Sequence, residues 1–227
     1  MEYYEGEPLR HMGDLVSMGA ERYGEKTAFS YYGQELSYND LEERSKKVAN
    51  VLADHGVEPG DRVGLFVPNT LQFPPAYFGT IKAGGVAVPI NLRMDPDTMV
   101  YVVENAEIDV MIGSDKVPEG GVEKVCDNAD VSTVMVPGGG DEEGTLNYDE
   151  LIEDAGSEFD RPERDFDDVA TQPYTSGTTG DPKGVLLTHE NLLTTIESYT
   201  KGGLPVDADD SVLLILPLFH IYALNAL

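Results

Sequence analysis

The 227-residue chain has one cysteine, Cys126, so it cannot form an internal disulfide. With no neighbouring Cys or His cluster, that thiol is not a metal site and reads as a small core residue. Basic residues are also scarce. Fifteen Lys and Arg stand against 42 Asp and Glu, a formal charge of −27. So acidic a surface repels phosphate backbones and anionic lipid, which argues against nucleic-acid binding and against membrane-surface binding. A long apolar run is missing as well. The longest, Val212 to Leu227, is interrupted by Pro217, His220 and Asn225 and falls short of the ~18–20 residues of a membrane span. The amino terminus, Met1-Glu2-Tyr3-Tyr4-Glu5, is acidic and lacks the apolar stretch of a signal peptide, so a cytoplasmic location is expected. No internal repeat of roughly 20–50 residues is apparent, which excludes solenoids and propellers.

What is present suits a folded domain. The chain is 41% hydrophobic with seven Phe and twelve Tyr, enough apolar surface for a core and too much for wholesale disorder. The acids are spread along its length rather than gathered in a tail, so they describe the surface of a whole fold. This distribution reads as a halophile's protein, and a haloarchaeal source is expected. In multimolar salt the Debye length falls to about 3 Å and the repulsion between surface carboxylates is screened. An acidic mesophilic protein is the alternative.

Periodicity alternates between helix and strand. Leu9, Met12, Leu15 and Val16 predict an opening helix stopped near Gly24, and Thr27 to Tyr38 a hairpin turning at Tyr32-Gly33-Gln34. Ser37 or Asn39 can cap a helix whose apolar face is Leu41, Val48, Ala49 and Leu52, ending at Gly56. A βα rhythm follows. Arg62 to Val67, Val86 to Ile90, Ile108 to Ile112 and Val131 to Val136 read as strands. Phe73 to Ile81 and the stretch opened by Asp95-Pro96 read as helices. The expectation is an α/β fold, parallel-sheet layers flanked by helices. Two polar stretches, near 137–147 and 157–168, are expected to be acidic surface loops. Adjacent acids such as Asp167-Asp168 and Asp209-Asp210 are read as chance neighbours in so acidic a chain, because a catalytic carboxylate also needs a pocket.

One segment differs in composition. Thr175 to Gly184 holds four hydroxyls, three glycines and a lysine in ten residues, after a strand ending near Tyr174 and before Val185-Leu186-Leu187. Such a loop can turn its N–H groups inward around an anion, with the hydroxyls donating further bonds and glycine allowing close approach. It lacks the G-x-x-x-x-G-K-[ST] spacing of a P-loop and the G-x-S-x-G frame of a nucleophile elbow. On composition alone it is equally a flexible linker.

In order, Tyr174-Thr-Ser-Gly-Thr-Thr-Gly-Asp-Pro-Lys-Gly-Val185 resembles the phosphate-loop signature of the acyl-adenylate-forming enzymes over twelve consecutive positions. The resemblance extends to Pro68-Asn69, to Lys82-Ala83-Gly84-Gly85 and the strand after it, to Leu187-Thr188-His189-Glu190-Asn191-Leu192, and to Leu216-Pro217-Leu218-Phe219-His220-Ile221-Tyr222. The last block is similar to that of long- and medium-chain fatty-acid–CoA ligases. The resemblance implies that a carboxylate attacks the α-phosphorus of Mg-ATP, expelling pyrophosphate, and that the acyl-adenylate then passes its acyl group to coenzyme A. It also implies that Thr175, Ser176, Gly177, Thr178, Thr179, Gly180 and Lys183 hold the ATP phosphates, while Phe219 and His220 line the acyl pocket with His220 steering the carboxylate. Without the resemblance His220 would be read as a core histidine. His189 is expected to be structural, and His11 and His55 have no nameable partner.

By the same resemblance, residues 1–227 make up part of an N-terminal adenylation domain. The adenine-binding block, the Thr-Glu pair associated with Mg2+, the ribose-binding Asp and the C-terminal domain with its catalytic lysine are not in this sequence. Two readings follow. One is an AMP-forming carboxylate–CoA ligase whose partners are a carboxylic acid, ATP and CoA, with a missing C-terminal half. The other is a non-catalytic remnant, or half of a split enzyme, that at most binds nucleotide weakly.

Overall fold

The structure is a computed structural model that describes residues 3–4, 7–114, 128–129, 131–139, 145–175, 180–201 and 207–227. Cys126 and residues 176–179 of the glycine-rich loop lie outside the described residues. A short antiparallel ribbon, β1 (Tyr3–Tyr4) with β2 (Glu7–Pro8), precedes helix α1 (Gly13–Tyr23). Strands β3 (Thr27–Tyr31) and β4 (Gln34–Ser37) form the expected hairpin around Tyr32-Gly33.

Of the two residues proposed to cap the next helix, Ser37 does so. Its hydroxyl accepts from the Asp40 N–H at 3.0 Å while the Asp40 carboxylate accepts from the Ser37 N–H at 3.0 Å, a reciprocal capping box that satisfies two otherwise unpaired donors. Helix α2 (Tyr38–Asp54) buries Leu41, Val48, Ala49 and Leu52 against α3 (Phe73–Lys82). The two helices approach closely at Gly79. A Cβ there would lie 2.4 Å from Val48 Cβ and 2.8 Å from the Ser45 carbonyl oxygen, so only glycine fits without displacing backbone. At the far end of α3, buried Lys82 binds Glu42 Oε2 at 2.9 Å and Ser17 Oγ at 2.9 Å, tying α1, α2 and α3 together.

The central sheet contains β5 (Arg62–Phe66), β6 (Val86–Pro89), β7 (Ile108–Gly113), β8 (Thr133–Val136), β9 (Thr145–Asn147), β10 (Val169–Thr171) and β13 (Leu187–Thr188), in the order β13-β10-β6-β5-β7-β8-β9. All neighbours are parallel except β13, which runs antiparallel to β10 at the edge. The parallel sheet expected from the βα rhythm is therefore present with one reversed strand. Its strands are apolar on both faces because both are covered. Val63 and Leu65 face the cluster under α1, α2 and α3, while Phe66 faces the second cluster with Val88 and Ile90. That second cluster lies under α4 (Pro96–Ala106), which Asp95 caps at the Thr98 N–H.

Of the two polar stretches, the first contains regular structure at its end. Residues 145–147 pair with β8 as β9, and Asn147 caps α5 (Tyr148–Asp154), so the end of the stretch near 137–147 is sheet and helix cap rather than loop. The 157–168 stretch has no regular element, but it lies on the fold as a strap. Phe159 and Phe166 pack against the core, and the Asn50 amide donates to the Gly156 and Glu158 carbonyls at 2.7 and 2.8 Å. Adjacent acids there have local partners. Asp168 accepts from the Asp165 N–H and pairs with Arg164.

The order of β6-β5-β7-β8-β9 is that of a doubly wound sheet, in which ligands bind outside the carboxyl ends of strands where the chain's winding reverses, between β5 and β7. Val67-Pro68-Asn69 leaves the sheet at that point, beside the 3.0 Å hydrogen bond from the Ser114 N–H to the Phe66 carbonyl.

Candidate functional site

The glycine-rich loop stands on a stem that is part of the fold. Strands β11 (Tyr174–Thr175) and β12 (Lys183–Gly184) pair antiparallel, Tyr174 with Gly184 and Thr175 with Lys183, and the Val185 N–H continues the ladder to the Pro173 carbonyl at 2.9 Å. Residue 184 has no side chain, which leaves room for the Gln172 carboxamide and the Tyr174 ring beside the stem. A Cβ at Gly184 would meet Gln172 Nε2 at 2.5 Å and the Tyr174 ring at 3.1 Å. The Tyr174 hydroxyl donates to Asn105 Oδ1 at 2.7 Å and accepts from Gln172 Nε2 at 3.2 Å, and Gln172 Oε1 in turn accepts from Arg62 Nε at 3.4 Å. This chain of side chains anchors the stem to the last turn of α4 and the first residue of β5. Burial is the largest influence on the Tyr174 phenol and pushes it above the ordinary tyrosine range, so it remains a donor at neutral pH.

Of the residues expected to hold phosphate, Thr175, Gly180 and Lys183 are described. All three are exposed. The Thr175 hydroxyl faces the Lys183 carbonyl at 3.5 Å, across the stem. Among the described residues no carboxylate lies within ion-pairing distance of the Lys183 ammonium, although the chain carries 42 acids. An exposed lysine without a carboxylate partner among the described residues, on a paired stem, fits a polyanion such as a nucleotide phosphate. Ser176, Gly177, Thr178 and Thr179 lie outside the described residues. Among the described residues no group of three or more His, Cys, Asp or Glu is placed to hold a metal ion.

Beyond the stem, Thr188 and Asn191 cap helix α6 (His189–Lys201) reciprocally, Asn191 Oδ1 accepting from the Thr188 N–H and Thr188 Oγ1 from the Asn191 N–H. His189, expected to be structural, is buried under this cap. Its Nδ1 accepts from the Met12 N–H at 3.1 Å, and its ring lies 4.1 Å from that of His11. His11 therefore has partners that the sequence did not suggest. Its Nδ1 accepts from the Gly13 N–H at 3.0 Å and from Arg161 at 2.9 Å, and Arg161 also pairs with Asp14. A nitrogen that accepts hydrogen bonds carries no proton, so both rings are neutral. Burial first, and then neighbouring positive charge, lowers both pKa values, that of His189 to about 4. His55 Nδ1 binds the Val51 carbonyl at the end of α2.

The second group of expected site residues lies in the carboxyl-terminal segment. Phe219 is half-buried and His220 exposed, their rings 4.6 Å apart, and His220 occupies the N-cap position of α7 (Ile221–Leu224) without capping it through its side chain. Leu218, Ala223 and Leu224 seat the segment in the core. Val212, Leu213, Ile215 and Tyr222 remain exposed. Asn69 grips the backbone. Its amide donates to the Leu216 carbonyl at 2.9 Å and its oxygen accepts from the Leu218 N–H at 2.9 Å. Among the described residues no hydrogen bond, ion pair or ring contact joins the Lys183 stem to Phe219 or His220 directly. A groove of about 330 Å3 lined by Asp40, Arg44, Lys47, Gln72, Tyr148 and Asp149 shares no residue with either group.

The sequence profile of the AMP-binding enzyme family matches residues 16–227. Over 201 residues the chain is 34% identical to 4-coumarate–CoA ligase 2 of Nicotiana tabacum, covering 85% of this chain and 36% of the relative. It is 32% identical over 241 residues to the long-chain-fatty-acid–CoA ligase of Escherichia coli O157:H7, covering 93% of this chain and 43% of that protein. The solved structure of a benzoate CoA ligase from Burkholderia xenovorans LB400 superposes with a TM-score of 0.84 at 28% identity, over 96% of this chain and 42% of that one. The chain thus spans about two-fifths of the length of each.

Proposed function

The chain belongs to the AMP-binding enzyme family, and from that premise we propose that it supplies the phosphate-binding loop and part of the acid pocket of an AMP-forming carboxylate–CoA ligase. The observation that carries this reading is the exposed Lys183, free of carboxylate partners among the described residues and held on the Tyr174–Gly184 stem. In the proposed reaction a carboxylate oxygen forms a bond to the α-phosphorus of ATP as the bond to the β-phosphate bridging oxygen breaks, and pyrophosphate leaves. The thiol sulfur of CoA then forms a bond to the acyl carbon, its proton is lost, and AMP leaves. Negative charge grows on the departing pyrophosphate, so Lys183, Gly180 and the N–H groups and hydroxyls of residues 175–179 act by stabilising that charge rather than by covalent chemistry. Mg2+ bound to the phosphates would neutralise part of the same charge. His220 would orient the carboxylate, and Phe219 would wall the acyl chain.

A fatty acid is the proposed substrate, because Leu218-Phe219-His220-Ile221-Tyr222-Ala223-Leu224 is apolar apart from one histidine and one tyrosine. The relatives include ligases of aromatic as well as fatty acids, so the test compares both classes. ATP–pyrophosphate exchange, measured in multimolar KCl on the chain with and without a separately expressed remainder of the family fold, is expected to depend on a long- or medium-chain fatty acid and to require that remainder. Exchange driven by benzoate or 4-coumarate and not by fatty acids would overturn the substrate assignment. No exchange with any acid in the supplemented sample would overturn the ligase reading.

A further inference from the structure

The structure assigns a positioning role to Asn69: its carboxamide holds the backbone of Leu216–Leu218 against the carboxyl end of β5 and thereby sets where Phe219 and His220 stand. The carboxamide engages the carbonyl of one residue and the N–H of the second residue after it, both at 2.9 Å, with a longer contact of 3.5 Å to the Leu214 carbonyl. Those are the two groups that one residue of a parallel neighbouring strand would bond, here on a backbone that bends at Leu216 and turns at Leu218. One side chain thus stands in for a strand that residues 211–217 do not have, since they form no sheet or helix. The register is fixed from two sides. Leu218 is 4% exposed and sets the depth of the segment, while Leu213 and Ile215 on either side of Leu214 are 83% and 76% exposed and contribute little anchoring.

Asn69 also sits where the winding of the sheet reverses, three residues beyond the end of β5. A side chain there connects the rigid sheet to the residue before the Phe219-His220 pair. Asparagine alone among residues of this size offers both a donor and an acceptor in that geometry. Aspartate keeps the acceptor for the Leu218 N–H but turns an oxygen towards the Leu216 carbonyl. The inference rests on the ligase reading for what the pocket binds, and not for the clamp itself.

Two measurements test it. In the 227-residue chain in high salt, hydrogen exchange of the Leu218 amide is expected to quicken about tenfold in Asn69→Ala, the loss of one hydrogen bond, and to change little in Asn69→Asp, which retains that acceptor. Unchanged Leu218 protection in Asn69→Ala would overturn the clamp, and urea midpoints of both variants check that the fold is intact. In the exchange-competent enzyme, both variants are expected to raise the KM for the acid about tenfold while leaving the KM for ATP nearly unchanged. Equal changes in both constants, or in neither, would overturn the positioning role. If the unsubstituted enzyme shows no acid-dependent exchange, the ligase reading fails and the acid-positioning role fails with it. The clamp alone is then decided by the Leu218 amide.

Discussion

Lys183 shows how a single exposed residue can be tied to function by what surrounds it. In a chain with 42 acids, a lysine without a carboxylate neighbour among the described residues keeps its charge available for an incoming anion. The antiparallel pair Thr175–Lys183 fixes its backbone, so the side chain has only its own rotamers to lose when phosphate binds. A charge-assisted contact to phosphate contributes about 1.5–3 kcal/mol, so Lys183→Ala is expected to weaken ATP or pyrophosphate binding about ten- to a hundredfold. Titration calorimetry in multimolar KCl checks this, with Lys183→Arg as the variant that retains the charge. Equal affinities for the unsubstituted and Ala proteins would mean that the ammonium points away from the nucleotide. A side chain at Gly184 would require the Gln172 carboxamide and the Tyr174 ring to give way.

At the scale of elements, the buried histidines join the turn before α1 to the first residue of α6 and to the 157–168 strap. The groups facing them are Asp14, Lys82, Arg161, Arg164 and Asp168. Both imidazoles are neutral in the fold, with folded pKa values below the 6.5 of a free histidine, that of His189 at about 4. The unfolded chain therefore binds more protons between these limits. The linked stability is fully present above about pH 6.5 and is lost progressively as the pH falls towards 4, at up to about 1.4 kcal/mol per pH unit for each histidine. Urea unfolding in constant high salt is expected to show a midpoint falling between pH 7 and pH 5, and His11→Asn combined with His189→Asn is expected to flatten that slope. A midpoint independent of pH over this interval would show that the folded pair takes up protons as readily as the unfolded chain and is not held neutral by the fold. The consequence for function is local, because α6 begins five residues after Lys183–Gly184 and its cap is seated on His189.

Over the whole molecule, charge is the dominant unusual quantity. The −27 sits on a fold with two apolar clusters, one on each face of the sheet, whose burial acts against the surface repulsion. We propose that the fold is adapted to high salt. Below about 0.1 M salt the Debye length reaches ~10 Å, neighbouring carboxylates repel one another, and the compact state loses stability. Circular dichroism over a KCl series is expected to show structure lost as salt is withdrawn. Equal ellipticity in dilute buffer and in multimolar KCl would rule the adaptation out. None of the helices among the described residues is long and apolar enough to cross a membrane. Among the described residues, Val212, Leu213, Ile215 and Leu216 form an exposed apolar stretch.

Much of this was legible along the chain because local physics decides it. Apolar runs and 3.6-residue spacing indicated strands at 62–67, 86–90 and 108–112 and helices before Gly56 and over Phe73 to Ile81, within a residue or two of the observed 62–66, 86–89, 108–113, 38–54 and 73–82. Ser37 and Asp95 marked helix starts because a short oxygen-bearing side chain satisfies the first free N–H groups. The motif from Tyr174 to Val185 identified the family, since the order of residues in a loop is written in the sequence directly. Tertiary structure decided the pairings between distant residues. Met12 is bonded to His189 across 177 positions, Tyr174 to Asn105 across 69, and Asn69 to Leu218 across 149. None of these partners shares a periodic pattern or a turn, so no local preference indicates them. They meet because the winding of the sheet brings their elements together. The same reason accounts for β9 and β13. The short segments Thr145-Leu146-Asn147 and Leu187-Thr188 become strands because β8 and β10 present unpaired edges beside them, and an exposed row of N–H and C=O groups takes whichever segment the fold carries past it.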